Sequence, residues 1–250
     1  MTKSCWSVLG EKATGTSHIA RGTPCQDAFV HRTFGASGTW LVIAVADGAG
    51  TASHSEIGAV LACEELVKRI EIGQLNPLPT QEVALSVFHD VRTVLIAEAE
   101  RLQVSPRELA CTLLLAVVGP DGAAFAQVGD GAIVYHDGQE YRTVFWPEPT
   151  EYANATDFLT DNKFANAFQY TAITLAVSEL AVLTDGLQRL ALDFSAKLAY
   201  ADFFNPLFQA IKTSTLPDSL SPALKDFLNS QSINGRTDDD KTLVLAMRSS

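Results

Sequence analysis

The chain has no C-x-x-C pair, no run of basic residues, no apolar stretch of membrane-spanning length and no internal repeat, and each absence removes a class of protein. Its four cysteines, at positions 5, 25, 63 and 111, are far apart. Neither a zinc knuckle nor a disulfide framework is indicated, and reduced thiols in a cytosol are expected. Lys and Arg total 18 against 29 Asp and Glu, a formal charge of -11. Phosphate-backbone recognition depends on clustered cations, so no nucleic-acid partner is expected. No apolar run approaches the roughly 18 residues of a membrane span, and "MTKSCWSVLGEKATG" lacks the apolar core of a signal peptide. No membrane partner and a cytoplasmic location follow as expectations. Neither G-x-S-x-G nor a Cys-centred phosphate loop occurs, so the serine- and cysteine-nucleophile hydrolases have no signature here.

What is present is enough apolar material for a sizeable core: 250 residues, 47% of them hydrophobic, read as one domain over 1–250. Trp40 to Ala46 ("WLVIAVA") is a buried strand by composition. Ser53 and Glu56 have capping-box spacing and predict a helix from Ser53 with Ile57, Val60, Leu61, Val67 and Ile70 on its apolar face. A second helix is expected from about Thr80, burying Ala84, Val87, Phe88, Val91 and Leu95. The runs Cys111–Val118, Ala123–Val128 and Ala132–Tyr135, separated by "GPDG" and "GDG", read as an antiparallel meander. A loop-rich stretch is expected at Phe145–Lys163, then a strand at Leu180–Thr184, helices near Ser195–Lys212 and Ser221–Ser230, and a last strand at Thr242–Met247. Ser221 before Pro222 suits an N-cap with Pro at the first helical position. Without regular βαβ alternation, antiparallel sheets covered by helix pairs are favoured over a doubly wound fold.

Three aspartates follow apolar strands: Asp47 in "VIAVADGAG", Asp130 in "FAQVGDGAI" and Asp185 in "LAVLTDGLQ". A fourth group, Asp238–Asp240 in "RTDDDKTLVLAM", stands just before a strand, and Asp27 sits in "CQDAF". Strand ends on one sheet edge can gather distant carboxylates. Such hard oxygen donors, without a His or Cys set, suit Mg²⁺ or Mn²⁺ over zinc.

With these motifs in their order and spacing, the chain resembles the metal-dependent type 2C (PPM) Ser/Thr protein phosphatases, in particular their compact bacterial branch. "QDA", "ADGAG", "VGDG", "LTDGL" and "DDKT" resemble that family's N/M-E-D, A-D-G-M-G, V-G-D-S, L-x-S-D-G-L and D-N/D-x-T motifs. The likeness runs from Gly15 to Ala246. It implies an α+β fold, a four-layer αββα sandwich of two stacked antiparallel sheets flanked by helix pairs. It further implies that Asp47 bridges two Mn²⁺ or Mg²⁺ ions, that the Gly48 carbonyl joins one, and that Asp185 and Asp239 complete the other. Asp27 would act through bound water and Asp130 would help hold a third ion. The activity implied is hydrolysis of phosphoserine and phosphothreonine by an activated water, opposing a cognate bacterial Ser/Thr kinase. A catalytically weak sensor or scaffold, and a phosphatase for small esters, are the alternative readings.

The chain departs from the family pattern in three places. Five residues before Asp27, where the family carries its phosphate-binding arginine, stands Gly22; the role falls to Arg21 or His18. Gln26 replaces the common glutamate, and Ala49 occupies the position of a general-acid histidine found in some members. His54, His31, His89 and His136 are read as structural, Glu56 as a capping residue, and "GAGTAS" lacks the Lys of a nucleotide loop. Asp239 is the expected ligand of "TDDDKT", with Asp238 and Asp240 as turn or solvent groups.

Overall fold

The computed structural model describes residues 6–72, 78–147 and 156–248. In chain order the strands and helices are β1 (Trp6–Ala13), α1 (Thr16–Arg21), β2 (Ala28–Phe34), β3 (Trp40–Ala46), α2 (Ser55–Ile72), α3 (Gln81–Leu102), β4 (Leu113–Val118), β5 (Ala123–Val128), β6 (Ala132–His136) and β7 (Tyr141–Thr143). The short helix α4 (Phe164–Ala167), β8 (Gln169–Ile173), β9 (Glu179–Leu183), α5 (Gln188–Ala191), β10 (Leu192–Asp193), β11 (Leu198–Ala199), α6 (Ala201–Thr213), α7 (Ser221–Leu228), α8 (Gln231–Asn234) and β12 (Lys241–Arg248) follow. One five-stranded sheet runs β1-β12-β9-β6-β7 and the other β2-β3-β4-β5-β8, every neighbouring pair antiparallel.

Three apolar layers alternate with the sheets. Because side chains point to opposite faces with period two, β3 sends Leu41, Ile43 and Val45 toward the other sheet and Val42, Ala44 and Ala46 toward α2 and α3. β12 does the same, with Val244 and Ala246 between the sheets and Leu243 and Leu245 under α6 and α7. Strands buried on both faces read as unbroken apolar runs, which is why "WLVIAVA" and "LVLAM" show no polar alternation. Phe88, Val91 and Leu95 of α3 close the outer layer on one side, Phe204 and Phe208 of α6 on the other.

Several expected boundaries are corrected. The helix after β3 begins at Ser55, and Ser53 does not cap it; its hydroxyl donates instead to Glu108 Oε2 at 2.7 Å. The buried face of α2 is Ala59, Ala62, Cys63, Leu66, Val67 and Ile70, whereas Val60 is 41% exposed and Ile57 and Leu61 are half-buried. The "GDG" turn does not continue a meander: β4 and β5 pair as a hairpin, but the chain then crosses to the other sheet, where β6 pairs with β9. Ser195–Tyr200 is not helical, because Asp193 Oδ1 accepts the backbone N–H groups of Ser195 and Ala196 and turns the β10–β11 hairpin. Ser221 is already inside α7, whose preceding residue is Leu220, and its hydroxyl donates to Glu11. Thr80 does cap α3, accepting the Val83 N–H. The expected loop at Phe145–Lys163 falls partly outside the described residues, as does Cys5; Cys25, Cys63 and Cys111 are free thiols.

Antiparallel register decides where the acidic motifs meet. Ala28 at the start of β2 pairs with Ala46 at the end of β3, so Asp27 and Asp47 leave the sheet side by side. In the other sheet Leu183, last in β9, pairs with both Ala132, first in β6, and Leu243 of β12. Asp130, Asp185 and the 238–240 segment thereby reach the same edge.

Candidate active site

At that edge is a pocket of about 310 Å³ lined by Asp47, Asp130, Asp185, Asp238 and Asp239 together with Gly48, His18 and Arg21, among others. Seven of the eight residues expected in the site line it. Asp27, the eighth, lies just behind, with no solvent exposure.

Each carboxylate is fixed by its own partners. Asp47 extends from β3, and its backbone is held at both ends by Thr112: its N–H donates to Thr112 Oγ1 at 2.9 Å, and its carbonyl accepts the Thr112 N–H at 2.8 Å. Gly48 passes so close to the neighbouring chain that a Cβ would stand 2.8 Å from Gln26 O and from Ser55 O. Asp27 Oδ2 accepts hydroxyl hydrogen bonds from Thr184 at 2.8 Å and Thr242 at 2.7 Å, while its Oδ1 has no partner. Asp130 Oδ2 accepts from Thr156 at 2.8 Å. Asp185 opens a 3-10 turn and leaves its own Oδ1 buried and unpartnered.

The electrostatics are those of crowded, buried anions. Burial raises the Asp27 carboxyl to about 7, offset in part by the two threonine hydrogen bonds and reinforced by repulsion from Asp240 and Asp185. Burial likewise raises Asp185 to about 6, with Asp130 the next contributor. Asp47 lies well above the carboxylate range, first through burial and then through Asp27 and Asp185. Asp130 is raised by burial against the pull of Thr156. An all-oxygen donor set of this charge, with unpartnered oxygens on Asp27 and Asp185, fits hard divalent cations. The fit rests on donor chemistry and charge: among the described residues no three Asp, Glu, His or Cys side chains are arranged as a closed cage.

The "DDD" segment departs from expectation. It is not extended: a bend at Asp239 breaks the alternation, so Asp238 and Asp239 both line the pocket and Asp240 turns inward, 2% exposed. Asp240 is neither a turn nor a solvent group. Its Oδ1 accepts the Gly15 N–H at 2.7 Å and its Oδ2 the Gln26 N–H at 2.6 Å, tying both loops flanking α1 to the head of β12. Close backbone approach completes this staple, since a Cβ on Gly186 would lie 2.0 Å from Asp240 O and one on Gly15 2.3 Å from the Asp239 carbonyl carbon. Of the threonines that aim Asp27, Thr184 lies within "LTDGL" and Thr242 closes "DDKT", a position in the motifs that marks them without showing their role.

His18 and Arg21 have different surroundings. His18 is 4% exposed, its Nδ1 3.1 Å from Asp240 Oδ2, though off hydrogen-bonding geometry, and its Nε2 3.6 Å from Asp239 Oδ1. Arg21 is exposed at the pocket rim, braced by hydrogen bonds from Nε to Ser17 O at 3.2 Å and from Nη2 to Ser17 Oγ at 3.3 Å. Gly22 carries a φ of 71° as the left-handed cap of α1. Among the other groups considered, Gln26 is buried with Oε1 unpartnered, Ala49 lines the pocket, and His54 lies outside it, 2.7 Å from the Ser53 hydroxyl. His89 packs edge-on to Phe164, and Glu56 faces a separate groove.

Two stacked antiparallel sheets between helix pairs, with a carboxylate cluster at one edge, define a metal-dependent phosphatase. Residues 14–229 match the protein phosphatase 2C family, and the chain belongs to that family. It is 36% identical over 255 residues to serine/threonine-protein phosphatase 3 of Escherichia coli (strain K12), covering 97% of this chain and 98% of that one. Among solved structures, the serine/threonine phosphatase Stp1 from Staphylococcus aureus superposes with a TM-score of 0.65 at 16% identity, covering 100% of this chain and 98% of its own. RsbX in complex with magnesium gives a TM-score of 0.58 at 14% identity, covering 98% and 96%. These two structures share the fold.

Two outcomes follow. Asn in place of Asp240 offers one acceptor where two N–H groups point, so Asp240→Asn should lose about 1–3 kcal/mol in urea unfolding. Asp238→Asn should lose little, and equal losses would remove the staple role. In chelator, Asp27 and Asp185 take up protons on folding between their unfolded range near 4 and their raised folded values of about 7 and 6. The folded state binds more protons across that window, so its stability falls as pH rises. The melting temperature should be higher at about pH 5 than at about pH 8, and added Mn²⁺ should narrow the gap; a rise with pH would refute the raised carboxyl values.

Proposed function

We propose that this chain is one phosphatase domain that hydrolyses phosphoserine and phosphothreonine in proteins with two Mn²⁺ or Mg²⁺ ions and a more weakly held third. The observation that carries this reading is the convergence of Asp27, Asp47, Asp130, Asp185 and Asp239, from five separate strand ends, on one edge with an arginine at its rim. The single-domain reading is supported by β1 and β12, which fall outside the matched span yet pair with each other along their full lengths.

Asp47, the Gly48 carbonyl, Asp185 and Asp239 would hold the two ions, Asp130 the third, and Asp27 would act through water. Bound there, such cations supply Lewis-acid activation of water and neutralise phosphoryl oxygens. The chain's own residues do the rest. Thr112 fixes the Asp47 backbone at both its N–H and its carbonyl, and Thr184 with Thr242 aims Asp27, so the ligand set is rigid before substrate arrives. Arg21 presents a planar fork to the phosphoryl oxygens, in keeping with its exposure and its brace from Ser17. His18, shut between Asp239 and Asp240, is a spacer that positions the segment, so the phosphate clamp goes to Arg21. The scaffold reading has no observation in its favour, since all expected carboxylates are in place. Free thiols support a cytoplasmic location, where a cognate Ser/Thr kinase would supply the substrate.

Chelation should abolish phosphate release from a phosphothreonine peptide, and Mn²⁺ or Mg²⁺ should restore it; turnover unchanged in chelator would exclude the reading. Asp47→Asn should lower kcat more than about tenfold, a barrier increase above about 1.4 kcal/mol. Arg21→Ala should raise KM about tenfold or more with partial recovery in Arg21→Lys, and a KM unmoved by Arg21→Ala would return the clamp to His18.

A further inference from the structure

The outer face of α2 carries apolar side chains that the core leaves partly uncovered: Val60 is exposed, and Ile57 and Leu61 are half-buried, Leu61 with one side against the core. Ile57, Val60 and Leu61 form the floor of an open groove of about 450 Å³ on the far side of the helix from its buried Ala59, Cys63 and Leu66 face. Glu56, Glu64 and Glu98 stand around it. Glu98 is paired with Arg101, at 2.6 Å, but among the described residues Glu56 and Glu64 have no ion-pair partner. The lysine in the lining, Lys12, donates to the backbone carbonyl of Asp27 and keeps its charge, which leaves the lining with three carboxylates against one ammonium. An apolar floor with unpaired carboxylates is complementary to a segment that mixes aliphatic and cationic side chains.

The groove also borders the catalytic pocket. Cys25, two residues before Asp27, forms part of its wall, and Glu56 follows Ser55, whose carbonyl packs on Gly48. A second consideration comes from net charge. A chain of formal charge -11 attracts cationic segments at long range, which favours a basic stretch of the substrate at this acidic rim. We infer that this groove docks a basic, aliphatic segment of the phosphoprotein substrate, remote from the phosphorylated residue, and so selects substrates by sequence. The inference rests on the phosphatase reading above and assigns to it a substrate class.

The test compares a short phosphothreonine peptide with the same peptide extended by alternating Leu and Lys, in the Mn²⁺-loaded enzyme. The extension should lower KM roughly tenfold with kcat unchanged, and the gain should shrink in high salt. Val60→Lys and Glu64→Lys, both at solvent-facing positions, should each erase the gain while leaving p-nitrophenyl phosphate turnover at the wild-type rate. Equal KM for the two peptides in wild type, or a gain that survives in either variant, overturns the docking. Anisotropy of the labelled, unphosphorylated extension reads docking without turnover: saturable binding lost in both variants is expected, and its absence in wild type overturns the proposal. Hydrolysis of the short peptide reports on the phosphatase reading alone, so failure of that reading is seen separately.

Discussion

The structure is organised around a repulsion. At least five carboxylates are gathered at one edge of two buried sheets in a chain that already carries an excess of negative charge, and their proximity is costly unless something neutralises it. Burial is the largest contribution raising Asp27, Asp47, Asp130 and Asp185, with mutual repulsion added to it. The rest of the architecture serves to withstand this. A flexible loop would relax the charges apart, whereas strand ends inside a close-packed double sheet cannot move without disturbing three apolar layers.

Hydrogen bonding distributes the task among residues of two kinds. Thr112, Thr184, Thr242 and Thr156 direct Asp47, Asp27 and Asp130 through short hydroxyl or backbone contacts. Asp240 spends its charge differently, accepting two backbone N–H groups across the chain and so closing the loops around α1 over the site. One acidic run thus contains a structural carboxylate and a pocket-lining pair within three residues. The difference is made by a single bend at Asp239, stabilised where the glycines at 15 and 186 let backbones touch.

Ser53 and the "GDG" turn each carry a local pattern that a distant partner overrides: Glu108 takes Ser53 from its capping role, and β9 takes β6 out of the meander. Ser195 is different, because a near neighbour, Asp193, turns the chain ahead of α6. Val60 has the spacing of a core residue, yet it is exposed, and Ala59, Ala62 and Cys63 take the inward face of that turn of α2. Apolar periodicity identifies a helix more reliably than it identifies which side faces inward when apolar residues occur on both.

The sequence by itself pointed to the family and to antiparallel sheets covered by helices, because strands buried on both faces leave unbroken apolar runs and strand-end motifs keep their order along the chain; the stacking of two sheets followed from the family resemblance. Only the tertiary structure decided that antiparallel register brings Asp27 beside Asp47 and Asp130 beside Asp185. It also separated Arg21 at the rim from His18 in the wall, and Asp239 from Asp240. The physical reason is that these distinctions depend on burial and on hydrogen bonds between residues up to 225 positions apart, which no local spacing encodes.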